Sequence, residues 1–201
     1  MAHRGLLTPR GIMPAPASSK SSKRILIGIC GGIAAYKVAE VVSTLVQRGD
    51  DVTVAMTRDA RRFVGIATFQ SLSGRPVFVN PWRHPESPES PHIALAKEAD
   101  LMLVAPCTMD MAARLVAGRA DDAVSLLVAS IDRSRCPVLL APSMNETMLN
   151  QPATQRNLQT LASDGFSLVD PGSGWQACRA DGAGRLPEAD QLVASIDSAM
   201  A

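Results

Sequence analysis

The fold is decided by the segment Arg24-Ile-Leu-Ile-Gly-Ile-Cys-Gly-Gly-Ile-Ala-Ala-Tyr-Lys37. It starts as a short apolar run, turns at Gly31 and Gly32, and leads into Ala34–Val46, where Ala, Val and Leu recur at helical spacing. The pattern predicts a strand, a tight turn and a helix. Glycines at such a turn let the backbone approach a phosphate, whose charge is favoured by the positive end of the helix. The same two glycines are equally compatible with a turn needed only for strand–helix packing.

Three later segments have the same organisation. The runs Asp51–Met56, Leu101–Ala105 and Pro137–Ala141 are apolar, and each leads into a polar turn and a helical pattern. Continuous apolar strands that alternate with helices are typical of a parallel sheet buried on both faces. The sequence therefore predicts a single α/β domain with a Rossmann-like, flavodoxin-like doubly wound parallel sheet.

Polar residues follow each of these strands. Ligands of doubly wound sheets bind beyond the carboxyl ends of the strands, so we expect the site at these positions. They are Gly31–Gly32, Thr57, Thr108–Asp110 and Ser143–Asn145. The glycine turn does not have the spacing G-x-x-x-x-G-K-[ST], which gives nucleotide hydrolysis no support.

The composition limits the class of protein. The chain of 201 residues is 46% hydrophobic, and its four Phe, two Trp and one Tyr leave most of the core to aliphatic side chains. A formal net charge of +1 without a basic block argues against nucleic acid as a partner. Four cysteines without a Cys-x-x-Cys pair argue against a disulfide framework and a metal site, and favour a reducing, cytoplasmic location. No apolar run is long enough to span a membrane.

The first 23 residues differ from the rest. They contain basic but no acidic residues and include the Pro/Ser-rich stretch Pro14–Ser22. This composition predicts a disordered tail over 1–23 before a domain over 24–201, with a transit peptide as the alternative. A second irregular segment, Pro81–Pro91, contains four prolines and predicts an exposed loop.

Five ordered motifs carry a family resemblance. They are Gly31-Gly-Ile-Ala-Ala-Tyr-Lys37, Met56-Thr-x-x-Ala60, Pro106-x-Thr-x-Asp110, Pro142-x-Met-Asn-x-x-Met148 and Cys178-x-x-x-Gly-x-Gly-Arg185. In this order they resemble the phosphopantothenoylcysteine decarboxylases, which belong to the homo-oligomeric flavin-containing cysteine decarboxylases. The resemblance extends from Arg24 to about Glu188.

The resemblance implies an FMN site. The residues implied to bind FMN are Gly31, Gly32, Thr57, Thr68, Pro106 and Thr108. Thr57 is also a suitable helix N-cap, and both roles use the start of the helix. Cys30 is a departure, because many relatives have Ser or Thr there. Since a thiol is a weak donor, phosphate binding would depend more on backbone amides.

The resemblance also assigns the reaction. Catalysis is implied for His92 and Cys178, and substrate binding for Asp110, Met144, Asn145, Ala177 and Arg185. Taken alone, a histidine at a helix start is more often a cap or a surface residue. Asn145 is also suited to turn formation and Asp110 to helix capping.

The segment 172–187 is rich in glycine and by itself predicts a flexible loop. The resemblance implies that it is a lid over the substrate, with Cys178 as a proton donor. Relatives often have Gly-Asp after this cysteine, whereas this chain has Arg179-Ala180. This difference alters the charge next to the thiol.

The implied function is the FMN-dependent decarboxylation of 4′-phosphopantothenoylcysteine to 4′-phosphopantetheine in coenzyme A biosynthesis, by a homo-oligomer built from trimers. One alternative is an oxidative decarboxylase of peptidyl C-terminal cysteine, which the retained Cys178 segment disfavours. Another is a flavin prenyltransferase, which the Pro142-x-Met-Asn motif disfavours. A non-catalytic regulatory subunit with the same fold is the alternative from a different class.

Overall fold

The computed structural model describes residues 22–82 and 89–201. Its strands are β1 (Arg24–Ile29), β2 (Asp51–Met56), β3 (Leu101–Cys107), β4 (Val138–Pro142), β5 (Ser167–Leu168), β6 (Gly172–Trp175) and β7 (Asp181–Arg185). The helices are α1 (Val38–Gln47), α2 (Ile66–Ser73), α3 (Pro91–Glu98), α4 (Met109–Val116), α5 (Ala123–Ser130), α6 (Glu146–Leu149), α7 (Pro152–Ser163) and α8 (Ala189–Ala199). Short 3-10 helices cover Ile33–Lys37 and Ala60–Arg62.

The first five strands form one parallel sheet in the order β2-β1-β3-β4-β5. Ile25 of β1 pairs with Val52 on one side and with Leu101 on the other. The chain thus leaves β1 in one direction to build β2 and in the opposite direction to build β3. This reversal produces a crevice at the carboxyl ends of β1 and β3, where ligands bind in sheets of this kind. The predicted doubly wound parallel sheet is confirmed.

Helices cover both faces of the sheet because side chains alternate along the strands. Ile25, Ile27 and Ile29 face one core with α1, α2 and α8, whereas Leu26 and Cys30 face a second core with α3, α4, α5 and α7. Gly28 also points toward the second core, where an added Cβ would lie 2.8 Å from Val124 Cγ1. A glycine at this position lets α5 pack directly on the sheet.

Some boundaries differ from the predictions. The helix expected over Ala34–Val46 starts with the 3-10 turn Ile33–Lys37, and the α-helix itself begins at Val38. The glycine-rich segment predicted as a flexible loop contains the antiparallel hairpin β6–β7, defined here as the lid hairpin, 172–185. The predicted tail, 1–23, lies outside the described residues except for Ser22 and Lys23, and so does the central part, 83–88, of the predicted loop. Among the described helices, none combines the length and the hydropathy needed to cross a membrane.

Candidate functional site

A cleft of about 1090 Å³ opens at the carboxyl ends of β1, β2, β3 and β4 and is closed on one side by the lid hairpin. Its volume is large for a single small-molecule site, so it has room for a cofactor and a substrate together. The sequence-predicted residues that line it are Gly31, Gly32, Thr57, Thr108, Asp110, Met144, Asn145, Ala177, Cys178 and Arg185. The loops that follow the parallel strands therefore converge here with the lid hairpin.

The glycine turn has a different requirement at each of its two positions. A Cβ on Gly31 would lie 2.6 Å from Asp59 Cβ, so the close approach of the β2 turn excludes a side chain. A Cβ on Gly32 would have no neighbour closer than 3.8 Å and would project between Pro106 and Thr108, at the wall of the cleft. The turn thus forms a cradle that any side chain at position 32 would partly fill. This geometry fits a group that requires close backbone approach, such as a phosphate.

Three polar side chains in the cleft accept a backbone hydrogen bond near the start of a helix. Thr108 and Asn145 are the N-caps of α4 and α6, whereas Thr57 bonds the first residue of a 3-10 helix whose N-cap is Asp59. Thr57 Oγ1 accepts a hydrogen bond from Ala60 N–H at 3.2 Å, and Thr108 Oγ1 accepts one from Met111 N–H at 3.2 Å. Asn145 Oδ1 accepts one from Met148 N–H at 2.8 Å. Capping uses the oxygen as an acceptor and leaves the hydroxyl proton or the amide NH₂ group free to donate. The predicted capping role and a ligand-binding role are therefore compatible.

Asp110 is paired with Arg114 in the cleft wall. Arg114 Nε donates to Asp110 Oδ2 at 2.7 Å, and its Nη1 donates to Asp121 Oδ1 at 2.6 Å. The hydrogen bond to Asp110 is the largest contribution that raises the pKa of Arg114, with Asp121 adding to it. The guanidinium orients the Asp110 carboxylate, which remains largely exposed toward the cleft.

Cys30 lies under the glycine turn and is buried at 1% exposure. Burial raises the pKa of its thiol well above the ordinary value, and the neighbouring Cys107 raises it further. Burial likewise raises the pKa of Cys107 to about 12. Cys30 is therefore an uncharged thiol near neutral pH, so it places no negative charge beside a bound anion.

The lid hairpin is attached to the loop after β4. Met144 N–H donates to Gly184 O at 2.9 Å. Gly184 has φ of +103°, and a Cβ there would lie 2.2 Å from Met144 O, so this contact requires glycine. At the base of the hairpin, Arg185 Nη2 and Lys37 Nζ both donate to Glu188 Oε1 at 2.8 Å. These bonds connect the hairpin to the segment that follows the glycine turn.

Cys178 is exposed at the tip of the lid hairpin, and its Sγ lies 3.5 Å from Gln176 Oε1. The next residue, Arg179, has φ of +64°, the one positive φ of a non-glycine residue in the described part of the chain. The hairpin therefore presents the thiol to the cleft on a tight turn.

Three predicted site residues do not line the cleft of a single chain. Thr68 is exposed on α2, and Pro106 is buried within β3 behind the glycine turn. His92 is the second residue of α3 and is half-buried. Its Nδ1 is inaccessible to solvent and has no hydrogen-bond partner within residues 22–82 and 89–201.

Several lining residues were not predicted as site residues. They are Ile33, Tyr36, Lys37, Arg58, Asp59, Arg114, Met148, Trp175, Gln176 and Arg179. Tyr36 and Trp175 are exposed at 59% and 60%, which is unusual for large side chains and typical of binding surfaces. The signal for Tyr36 and Lys37 was present in the glycine-turn motif, whereas nothing local marks Trp175 or Gln176. In the described part of the chain, no cluster of three or more His, Cys, Asp or Glu is suited to hold a metal ion.

Comparison with known proteins gives consistent results. The family described as Flavoprotein matches residues 14–201. The chain is 46% identical over 171 residues to the coenzyme A biosynthesis bifunctional protein CoaBC of Mycolicibacterium smegmatis, an alignment that covers 85% of this chain and 40% of that protein. The chain therefore spans about two fifths of the length of this relative.

Two solved structures have the same fold. One is a PPC decarboxylase mutant complexed with pantothenoylaminoethenethiol, with a TM-score of 0.80 and 22% identity, covering 88% of this chain and 97% of that one. The other is the FMN-dependent cysteine decarboxylase SpaF, with a TM-score of 0.74 and 28% identity, covering 89% of this chain and 95% of that one.

Proposed function

The chain belongs to the flavoprotein family, and on this premise we propose that it is an FMN-dependent decarboxylase that converts 4′-phosphopantothenoylcysteine to 4′-phosphopantetheine in coenzyme A biosynthesis. The observation that carries the proposal is a single cleft in which the glycine turn, the Asn145 amide and the exposed Cys178 thiol converge. The relative named for coenzyme A biosynthesis and the FMN-dependent cysteine decarboxylase support the same assignment.

The cleft fits a flavin mononucleotide. Gly31, Gly32 and the Thr57 hydroxyl would hold its phosphate, because the turn leaves the cradle open and the uncharged Cys30 adds no repulsion. Thr108 would contact the remainder from the next strand end. When bound, FMN supplies a reversible two-electron acceptor, which the side chains of the protein do not provide.

Asn145 would orient the carboxylate that leaves as carbon dioxide. Its Oδ1 is occupied by Met148 N–H, so the amide NH₂ group is the end available to a carboxylate. A neutral donor suits this role, since a cation would stabilise the reactant charge that disappears in the reaction. Met144 and Met148 add apolar surface beside it, which disfavours the charged reactant relative to neutral carbon dioxide.

Cys178 would supply the proton that completes the product. A thiol is a much better acid than an aliphatic hydroxyl, and its exposed position on the lid hairpin lets it approach a substrate carbon. Arg185 and Ala177 would contact the substrate from the same hairpin, and Asp110 from the opposite wall.

The positions of His92 and Thr68 outside the cleft of a single chain lead to a proposal about the oligomer. We expect a homo-oligomer built from trimers, in which His92 from one copy reaches the cleft of a neighbour. The exposed Ile33, Tyr36 and Trp175 around the cleft are suited to contact another chain, and His92 Nδ1 is buried without a partner within the described residues.

Mixing inactive variants tests the shared site. His92→Asn and Asn145→Asp should each retain about 1% of the wild-type activity or less as pure oligomers. When the two are unfolded and reassembled together, roughly a quarter of the sites should combine an intact His92 with an intact Asn145, so activity should return. Light scattering gives the assembly size. An active monomer, or a mixture that stays inactive at the size of the wild-type oligomer, contradicts this arrangement.

Four free thiols support a cytoplasmic location as part of the proposal. Cys30, Cys107 and Cys136 are buried and unpaired with one another, and Cys178 is exposed. An exposed catalytic thiol remains reduced most readily in a reducing compartment.

The direct test is product analysis. The purified protein should be yellow with about one FMN per chain, and incubation with 4′-phosphopantothenoylcysteine should give 4′-phosphopantetheine by mass spectrometry. The similarity to SpaF favours one second candidate, a decarboxylase of peptidyl cysteine. A peptide with C-terminal cysteine should therefore be assayed in parallel. Turnover of the peptide alone would replace the first assignment, and protein that cannot bind FMN would contradict both.

A further inference from the structure

Gln176 closes the turn that carries Cys178. Its backbone N–H donates to Ala180 O at 2.9 Å, and its backbone O accepts from Arg179 N–H at 2.9 Å. These two bonds define a three-residue hairpin loop with Cys178 at its centre. The backbone position of the thiol is therefore set by Gln176.

The side chain of Gln176 joins the thiol to the opposite strand. Gln176 Nε2 donates to Ala183 O at 2.6 Å, and Cys178 Sγ lies 3.5 Å from Gln176 Oε1. The orientation of the amide is fixed by chemistry, because the Ala183 carbonyl can only accept and must face the NH₂ group. The amide oxygen is then the end that faces Cys178, and the thiol is the donor in that contact.

An acceptor oxygen held beside the thiol limits the rotation of the Cys178 side chain and so fixes where its sulfur lies. Gln176 and Cys178 both line the cleft, so the thiol is restrained on the side where a substrate would lie. A proton donor must be held at a fixed place relative to the atom that it protonates, and the contact with Gln176 meets this requirement.

We propose that Gln176 is a positioning residue that holds the Cys178 thiol in place at the cleft. The proposal rests on the proposed function in so far as Cys178 is the acid of that reaction. A purely structural role would need only the donor end of the amide, toward Ala183. Among the residues that the structure describes, the oxygen end contacts only the thiol of Cys178, and this difference makes the role testable.

Two substitutions separate the two ends of the amide. Both remove the NH₂ donor to Ala183 O, but Gln176→Met also removes the acceptor oxygen, whereas Gln176→Glu retains an acceptor oxygen and adds a negative charge. The charged groups near the thiol on the hairpin, Arg179, Asp181 and Arg185, and those across the cleft, Arg58, Asp59 and Asp110, are unchanged in both. Gln159→Met, on an exposed position of α7 away from the cleft, is the matched control.

The first measurement is the rate of Cys178 alkylation by iodoacetamide between pH 6 and 10, followed by mass spectrometry. Across this range Gln176→Met should be alkylated about fivefold faster than wild type, because the thiol loses the one hydrogen bond that restrains it. Gln176→Glu retains an acceptor oxygen and should be alkylated no faster than wild type. Gln159→Met should match wild type.

The second measurement is the product ratio in the decarboxylation assay. Gln176→Met should release about fivefold more of the oxidised species, two hydrogens lighter than 4′-phosphopantetheine, because a thiol that has lost the hydrogen bond holding it in place reaches the substrate carbon less often. Unchanged alkylation profiles and an unchanged product ratio would overturn the proposal. So would alkylation that is faster to the same extent in both Gln176 variants, because the loss of the bond to Ala183 would then explain the change as a general loosening of the hairpin. If the alkylation profiles move as expected while wild type makes neither product, the positioning role stands and the proposed function fails.

Discussion

The two walls of the cleft are built in different ways. The wall that carries the glycine turn rises from strand ends whose residues are almost fully buried, such as Ile29 at 0% and Cys30 at 1% exposure. In the lid hairpin, 172–185, Gly184 alone is buried. The first wall is thus continuous with the hydrophobic core, whereas the second is held by a few hydrogen bonds. Substitutions in the first should affect folding and cofactor binding together, and substitutions in the second should affect chemistry while leaving the fold intact.

The strongest test of this difference is Cys178→Ser in the hairpin wall. We expect formation of 4′-phosphopantetheine to fall by about 10³-fold, because a serine hydroxyl is a poor proton donor. Flavin affinity and thermal stability should remain at wild-type values, since the side chain is exposed. Mass spectrometry should detect an accumulated product two hydrogens lighter. Normal product at the wild-type rate would show that Cys178 is not the acid.

Asn145→Asp tests the loop after β4, to which the lid hairpin is attached. The new carboxylate can still cap α6 through Met148 N–H, so the free energy of unfolding should change by less than about 0.5 kcal/mol. The value of kcat/KM should fall by about 10²-fold, because like charges are placed together when substrate binds. Asn145→Ser, which can cap α6 without adding a charge, is the control. An equal loss in both variants would mean that repulsion is not the cause.

In the wall that carries the glycine turn, substitutions of Gly31 and Gly32 should separate an effect on stability from an effect on FMN binding. Gly31→Ala should destabilise the fold by about 1–3 kcal/mol, because its Cβ would meet Asp59 at 2.6 Å. Gly32→Ala has no such clash and an extended backbone at φ of −150°. It should retain stability and weaken FMN binding about tenfold by filling the cradle, a loss of about 1.4 kcal/mol. Denaturant unfolding and flavin fluorescence titration measure the two effects. Unchanged flavin affinity in Gly32→Ala would contradict the phosphate role of the turn.

The smallest expected effect is a gain in stability at Arg179. A left-handed backbone is strained for a residue with a side chain, so Arg179→Gly should stabilise the protein by about 0.5 kcal/mol after allowing for the greater freedom of unfolded glycine. Arg179→Ala keeps the strain and should show no gain. Thermal unfolding and protease resistance of the hairpin report the difference. Equal stability of the glycine and alanine variants would show that the turn does not carry this strain.

The sequence predicted the wall that carries the glycine turn better than it predicted the lid hairpin, for a physical reason. Buried parallel strands require continuous apolar runs, so β1 to β4 and the polar residues after them are visible in the sequence. The edge strand β5 has only Ser167 and Leu168, too few residues for a periodic signal. The lid hairpin depends on contacts with a distant segment, such as the bond from Met144 to Gly184, which local propensity does not contain.

The placement of individual side chains was predictable only in part. Thr57, Thr108 and Asn145 were recognised because polar residues follow the carboxyl ends of the strands. The position of His92 outside the cleft of a single chain was not predictable, because it depends on the packing of α3. The contact between Gln176 and Cys178 was missed as well, since an i, i+2 pair meets only in a tight loop.

The hydrogen bond between Met144 and Gly184 has a consequence for protein engineering. The loop after β4 and the lid hairpin are separated by about 40 residues of sequence, yet each depends on the backbone shape of the other. A hairpin transplanted from a relative would therefore need its original Ser143–Met148 counterpart as well. Chimeras that exchange both segments together should fold. Chimeras that exchange only one should lose the hydrogen bond from Met144 N–H to Gly184 O. The two segments should therefore be exchanged as one unit, although the chain encodes them far apart.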